Sequence, residues 1–142
     1  QVYECADFAL SRGKQGARGK TLIFTVHEDR EMRDSLELER ALREADLESE
    51  MFMHFQPQYD LSTKRYVAFE ALARWNSSTL GNVRPDQFIR AAERAGMTQK
   101  VTKILFRKAL DALVTWPEDI GLSFNLSAQD VSDRPFIFGL VA

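Results

Sequence analysis

Two β-like stretches separated by two helix-like ones constrain this chain more than any other feature. Residues 66–75 (YVAFEALARW) alternate in character: Val67, Phe69, Ala71, Ala73 and Trp75 share one face of an extended chain. Tyr66, Ala68, Glu70, Leu72 and Arg74 share the other. Residues 120–127 (IGLSFNLS) also alternate, with Leu122, Phe124 and Leu126 opposite Ser123, Asn125 and Ser127. Between the two stretches, Pro85 suits the first position of a helix that runs to Ala95 and stops at Gly96. A second helix is predicted from Thr98 to Trp116, ended by Pro117, with Val101, Leu105, Ala109, Ala112, Leu113 and Trp116 on its apolar face. Helices inserted between two strands of one sheet require those strands to pair in parallel. The predicted class is therefore α/β.

The flanking sequence extends this pattern. Met51 to Leu61 reads as a strand, and Pro57 keeps its last part off a fully paired central position. A polar turn at 62–65 then predicts an antiparallel hairpin with the stretch at 66–75. Residues 76–84 read as a loop, and Ser132 or Asp133 is expected to cap one final helix. Residues 27–50 are dense in charge, with Met32, Leu36, Leu38, Leu42 and Ala45 on a broken stripe, which predicts a mostly solvated connector helix. Further upstream, a helix is expected at 2–15 and a strand at 21–26. The units that result are 1–27, a connector at 28–50, and 51–142.

Composition excludes several classes. Of 142 residues, 44% are hydrophobic and 28% charged, which excludes an intrinsically disordered or collagen-like chain. A net charge of −2 argues against general affinity for a nucleic-acid polymer, which needs a basic face. The longest apolar run, 135–142, is far short of the ~20 residues that span a bilayer. The start at Gln1 shows no signal-peptide pattern, and reads as that of a piece cut from something longer. Cys5 is a single thiol that fits a reducing cytoplasm, and His27 with His54 is too sparse for a zinc site.

Chemistry concentrates on the polar strand face. Glu70 and Arg74 sit four apart on it, and Asn125 sits near the end of the next parallel strand. Ligands bind at strand ends in parallel α/β sheets. A carboxylate and an amide oxygen from neighbouring strand ends are hard ligands suited to Mg²⁺, Mn²⁺ or Ca²⁺. Arginine matches a phosphate through its fork of donors. Gln56, on the adjacent strand, can hydrogen-bond a base or ribose. A plainer reading stands beside this one, in which Glu70 and Arg74 form an ion pair on a solvated face and Asn125 caps a turn.

A family resemblance decides how these residues are read together. Glu70-Ala71-Leu72 followed by Ala73-Arg74-Trp75 resembles the motif that names the EAL domain, the bacterial cyclic di-GMP phosphodiesterase module. Phe55-Gln56-Pro57-Gln58 with Asp60-Leu61 is similar to that family's first strand. Gly81 to Pro85, Phe88-Ile89 and Ala92 to Gly96 resemble its loop and first helix, and Ser123 to Ser127 its next strand. The N-terminal piece is similar to the end of a GGDEF (diguanylate cyclase) domain. Ala6 to Leu10, Lys14 and Arg18 resemble its closing helix, and Thr21 to Val26 its last strand. Ser11 and Gly13 depart from that pattern.

The resemblance implies a modified TIM barrel whose first strand is antiparallel, present here only in its opening part. It implies hydrolysis of cyclic di-GMP to the linear dinucleotide with Mg²⁺ or Mn²⁺. By resemblance, Glu70 and Asn125 are metal ligands, Arg74 holds a phosphate, and Gln56 with the backbone near Leu72 contacts guanine or ribose. The remaining acidic ligands and the catalytic lysine belong to later strands, so no catalytic residue is expected in this chain and none of its own turnover. Ser77-Ser78 stands where the family often has His-Pro. Two alternatives remain open: a degenerate domain that binds cyclic di-GMP as a receptor, and a piece with only a structural or interaction role. Roughly 110 residues from Arg33 onward cover less than half of a barrel of ~250. The uncovered interior predicts a homo-oligomer. The expected location is the cytoplasm, with a membrane anchor upstream in the parent left open.

Overall fold

A computed structural model describes residues 26–141. The helix expected at 2–15, most of the strand expected at 21–26, and Cys5 lie outside the described residues. The element order is α1 (Val26–Glu44), α2 (Leu47–Glu50), β1 (Met51–Asp60), β2 (Arg65–Ser77), β3 (Gly81–Val83), α3 (Pro85–Ala95), α4 (Thr98–Leu113), β4 (Gly121–Phe124), α5 (Ala128–Ser132) and α6 (Arg134–Val141).

The predicted hairpin forms. β1 and β2 pair antiparallel from Met51 opposite Trp75 to Asp60 opposite Arg65, with a register shift between Gln58 and Tyr59. Its turn is held by Asp60, whose carboxylate accepts from the Ser62 backbone at 2.8 Å, the Ser62 hydroxyl at 2.6 Å and the Thr63 hydroxyl at 2.8 Å. Among the described residues β1 pairs only with β2, so Pro57 costs no ladder bond on a second side. β4 pairs with β2 in parallel, Ala68 opposite Gly121 through Ala71 opposite Phe124, as the intervening helices require.

The core lies between the helices and the sheet face that carries the odd-numbered residues of β1 and β2 and the even-numbered ones of β4. Trp75 and Phe88 are fully buried and meet edge to face, 6.1 Å between centroids. Met51, Ala92, Val101, Ile104 and Leu105 pack around them, and Leu42 from α1 and Leu47 from α2 close the cluster. Arg94 of α3 donates to Glu39 of α1 at 2.5 Å and ties these two helices together. Pro85 opens α3, and Gly96 caps it at φ 67°, the left-handed conformation that glycine adopts without strain.

Several expectations are corrected. Val26 opens α1 rather than ending a strand, and the connector breaks at residues 45–46 into two helices. The loop expected at 76–84 contains β3, which pairs with the end of β2 from Trp75 opposite Val83 to Ser77 opposite Gly81. α4 stops at Leu113. Trp116 follows a tight turn in which Thr115 bonds Ala112, and its ring packs 5.0 Å from both Phe55 and Phe69. The expected strand at 120–127 is paired only over Gly121–Phe124, because Ser127 starts a helix instead. The single final helix is two: α5 is capped by Ser127 and α6 by Asp133, whose carboxylate accepts from the Phe136 backbone at 3.0 Å.

Candidate functional site

The opposite face, with the even-numbered residues of β1 and β2, carries the predicted polar residues. Residues directly opposed in an antiparallel pair share a face. Gln56 stands opposite Glu70, His54 opposite Leu72, and Phe52 opposite Arg74. In the parallel pair Glu70 stands opposite Ser123, which places Asn125, two residues on, on the same face just past the end of β4. The consequence is direct: Asn125 Nδ2 donates to Glu70 Oε1 at 2.7 Å across 55 residues of sequence. Glu70 is half-buried and Asn125 exposed.

Arg74 lies two steps further along the same face of β2, past Leu72. Its Nη1 donates to the Ala73 carbonyl at 2.8 Å, which folds the guanidinium back along the strand and not onto Glu70. Among the described residues no Glu70–Arg74 ion pair forms, so the plain ion-pair reading does not describe this face. One edge of β2 is shared between β4, along 68–71, and β3, along 75–77. Leu72 to Arg74 have no cross-strand partner in those two ladders, and this gap lies beside Asn125. Ser77 is 4% exposed, and its Oγ accepts from the backbones of Thr79 and Leu80, each at 3.3 Å, so it shapes the turn into β3.

A cavity of about 470 Å³ lies between the core face of the sheet and the helices, lined by Ala71, Ala73 and Phe124 with Phe88 and Leu105; Arg74 and Asn125 also line it, whereas Glu70 and Gln56 do not. Asp130, another of its lining residues, is fully buried, and its Oδ2 accepts from Thr102 Oγ1 at 3.0 Å and Ser127 Oγ at 2.8 Å. The Asp130 backbone donates back to Ser127 Oγ at 3.0 Å, completing a capping box. These bonds fix the loop that follows Asn125. The Ser127-x-x-Asp130 spacing signals this arrangement, but the stretch reads as strand when only its alternation is followed. Phe52 and His54 share the site face with Gln56, a placement their spacing of two along β1 encodes.

One carboxyl beside the core residue Trp75 is shifted by a local bond. Glu50 Oε2 accepts from Trp75 Nε1 at 2.9 Å, which holds the Glu50 carboxyl below the usual carboxylate range. Glu70 and Asn125 supply hard oxygen donors of the right type for Mg²⁺ or Mn²⁺. Among the described residues no three His, Cys, Asp or Glu side chains cluster as a metal site. The donor set therefore fits a divalent ion in kind and is incomplete in number.

The sequence model of the EAL domain matches residues 37–141. The chain belongs to the EAL domain family. Cyclic di-GMP phosphodiesterase PA2567 of Pseudomonas aeruginosa is 31% identical over 140 residues, 96% of this chain and 23% of that protein. Cyclic di-GMP phosphodiesterase PdeR of Escherichia coli is 27% identical over 139 residues, 95% of this chain and 21% of that protein. Among solved structures, the FimX EAL domain from Pseudomonas aeruginosa bound to c-di-GMP matches with a TM-score of 0.63 at 24% identity, over 72% of this chain and 42% of that one. This EAL chain thus spans less than a quarter of the length of those curated relatives, and 15% to 17% of three others. No described helix is long and apolar enough to cross a membrane.

Proposed function

We propose that this chain is the opening part of an EAL domain that, when complete, hydrolyses cyclic di-GMP to its linear dinucleotide. The observation that carries the reading is the 2.7 Å contact between Asn125 and Glu70, which brings an amide just past the end of β4 against a carboxylate in the middle of β2, its parallel neighbour. Glu70 and Asn125 would hold part of the coordination sphere of Mg²⁺ or Mn²⁺, the remaining ligands coming from outside this chain. Such an ion, when bound, lowers the pKa of a water and offsets charge that builds on the phosphate. Arg74 holds a phosphate of the ligand through its guanidinium. Gln56 and the backbone at Leu72 contact the guanine or ribose, and the unpaired edge at 72–74 supports that role for the backbone. Two protein oxygens do not hold a divalent ion tightly, so the chain alone has no turnover.

The same reading takes residues 1–27 as the end of a GGDEF domain, 28–50 as a connector and 51–142 as the truncated EAL part of a cytoplasmic signalling protein. Exposed apolar side chains on the last two helices, Val131 at 60% and Phe138 at 71%, support assembly with a second copy. The experiment that tests the function is cyclic di-GMP turnover by the complete domain with Mn²⁺, against Glu70→Ala. Turnover that survives the substitution sinks the assignment. Tight binding with no turnover in either protein makes the domain a receptor instead.

A further inference from the structure

We propose that Phe52 and His54 form a stacking platform for the purine base of the nucleotide whose phosphate Arg74 holds. The proposal rests on the site reading given above and adds to it the residues that grip the base. β1 sends Met51, Met53 and Phe55 toward the core face and Phe52, His54 and Gln56 to the site face. Phe52 is 39% exposed in this chain and stands on the same face as Gln56 and Arg74. Its ring meets that of His54 edge to face, with centroids 5.4 Å apart and planes at 62°.

The register places this pair where a base has to lie. Phe52 is directly opposite Arg74, and directly opposed residues stand roughly 5 Å apart. The base and phosphate of one nucleotide are separated by a single ribose, so a phosphate on Arg74 brings its own base over the neighbouring strand. Phenylalanine and histidine rings are ordinary stacking partners for nucleobases. Contact between the two rings restricts both side chains before a ligand arrives, which lowers the ordering cost of binding. Gln56, next along the same face, is left to hydrogen-bond the edge of the base or its sugar.

The test titrates the 142-residue chain with guanosine 5′-monophosphate and with ribose 5-phosphate, followed by ¹H–¹⁵N NMR. The wild-type chain is expected to bind the nucleotide about tenfold more tightly than the sugar phosphate. Phe52→Leu keeps an apolar side chain without a ring and should reduce that ratio toward one, and His54→Ala should reduce it in part. Arg74→Ala should weaken both ligands alike and leave the ratio standing. Circular dichroism melts confirm that each variant is folded. A ratio unchanged by both Phe52→Leu and His54→Ala overturns the platform while leaving the phosphate site intact. Failure of the wild type to bind either ligand overturns the site reading and the platform with it.

Discussion

Asn125 Nδ2 lies 2.7 Å from Glu70 Oε1, and this bond ties the residue just past β4 to the middle of β2, its parallel neighbour but distant in sequence. Asn125 is exposed, so the bond is worth little to the fold. Asn125→Ala should cost about 0.5–1.5 kcal/mol, read from urea unfolding of the chain. In the complete domain the same substitution should lower cyclic di-GMP turnover on the order of 100-fold or more, the scale of losing one group that stabilises a transition state. A stability loss with full turnover would show that the contact only braces the sheet.

Trp75 anchors the core and holds Glu50. Trp75→Ala should cost about 3–5 kcal/mol, measured by urea unfolding. Trp75→Phe keeps most of the packing against Phe88 but removes the donor to Glu50, so the Glu50 carboxyl should rise toward its ordinary value in a ¹³C NMR titration. The sign in the wild type follows from the depressed pKa. The contribution of Glu50 is present above the unfolded carboxyl's pKa and is lost as pH falls through the lower folded value.

The hairpin turn has its own acid limit. Hydroxyls and backbone amides of Ser62 and Thr63 hold the Asp60 carboxyl down to about 2, the Ser62 hydroxyl most strongly. The turn bonds should therefore persist through the ordinary aspartate range and be lost only as pH falls toward 2. Following the Ser62 amide shift against pH checks this. A midpoint near the ordinary aspartate value would mean the Ser62 and Thr63 bonds do not form in solution.

Asp130 is the most consequential polar residue of the core. Asp130→Ala removes the capping box of α5 and leaves the buried Thr102 hydroxyl without its acceptor, at a combined cost of about 2–4 kcal/mol. Asp130→Asn, which keeps an acceptor oxygen, should cost less. Equal losses in urea unfolding would assign the effect to charge alone.

Assembly is checked by light scattering. With Val131 and Phe138 exposed, the chain should run as a dimer or larger species, and Phe138→Ser should shift it toward monomer. A monomer at high concentration counts against a second copy on this face.

Much of this could be read from residues, and the misses have physical reasons. The alternation of 66–75, Pro85 and Gly96 located β2 and α3 because each reports a local constraint: side-chain period, fixed φ, left-handed cap. The site face followed from the same alternation. β3 was not legible because three residues carry no period, and it forms through pairing with Trp75 to Ser77. Trp116 fitted the helical stripe of α4, yet its ring finds more contact against Phe55 and Phe69 after the chain turns. Tertiary packing there outweighs periodicity. The cap at Ser127 lost to alternation for the opposite reason, since two local signals overlap on the same residues.

The shared edge of β2 has one more effect. β3 occupies that edge from Trp75 onward, and β4 leaves it after Ala71, where the chain turns toward the Ser127 cap. Three residues of one strand are left between a ladder made by the next few residues and a ladder made by a strand that arrives much later. The window in the sheet is made by where two pairings stop, and loop variation at Ser77 to Gly81 would change its width without touching Glu70, Arg74 or Asn125.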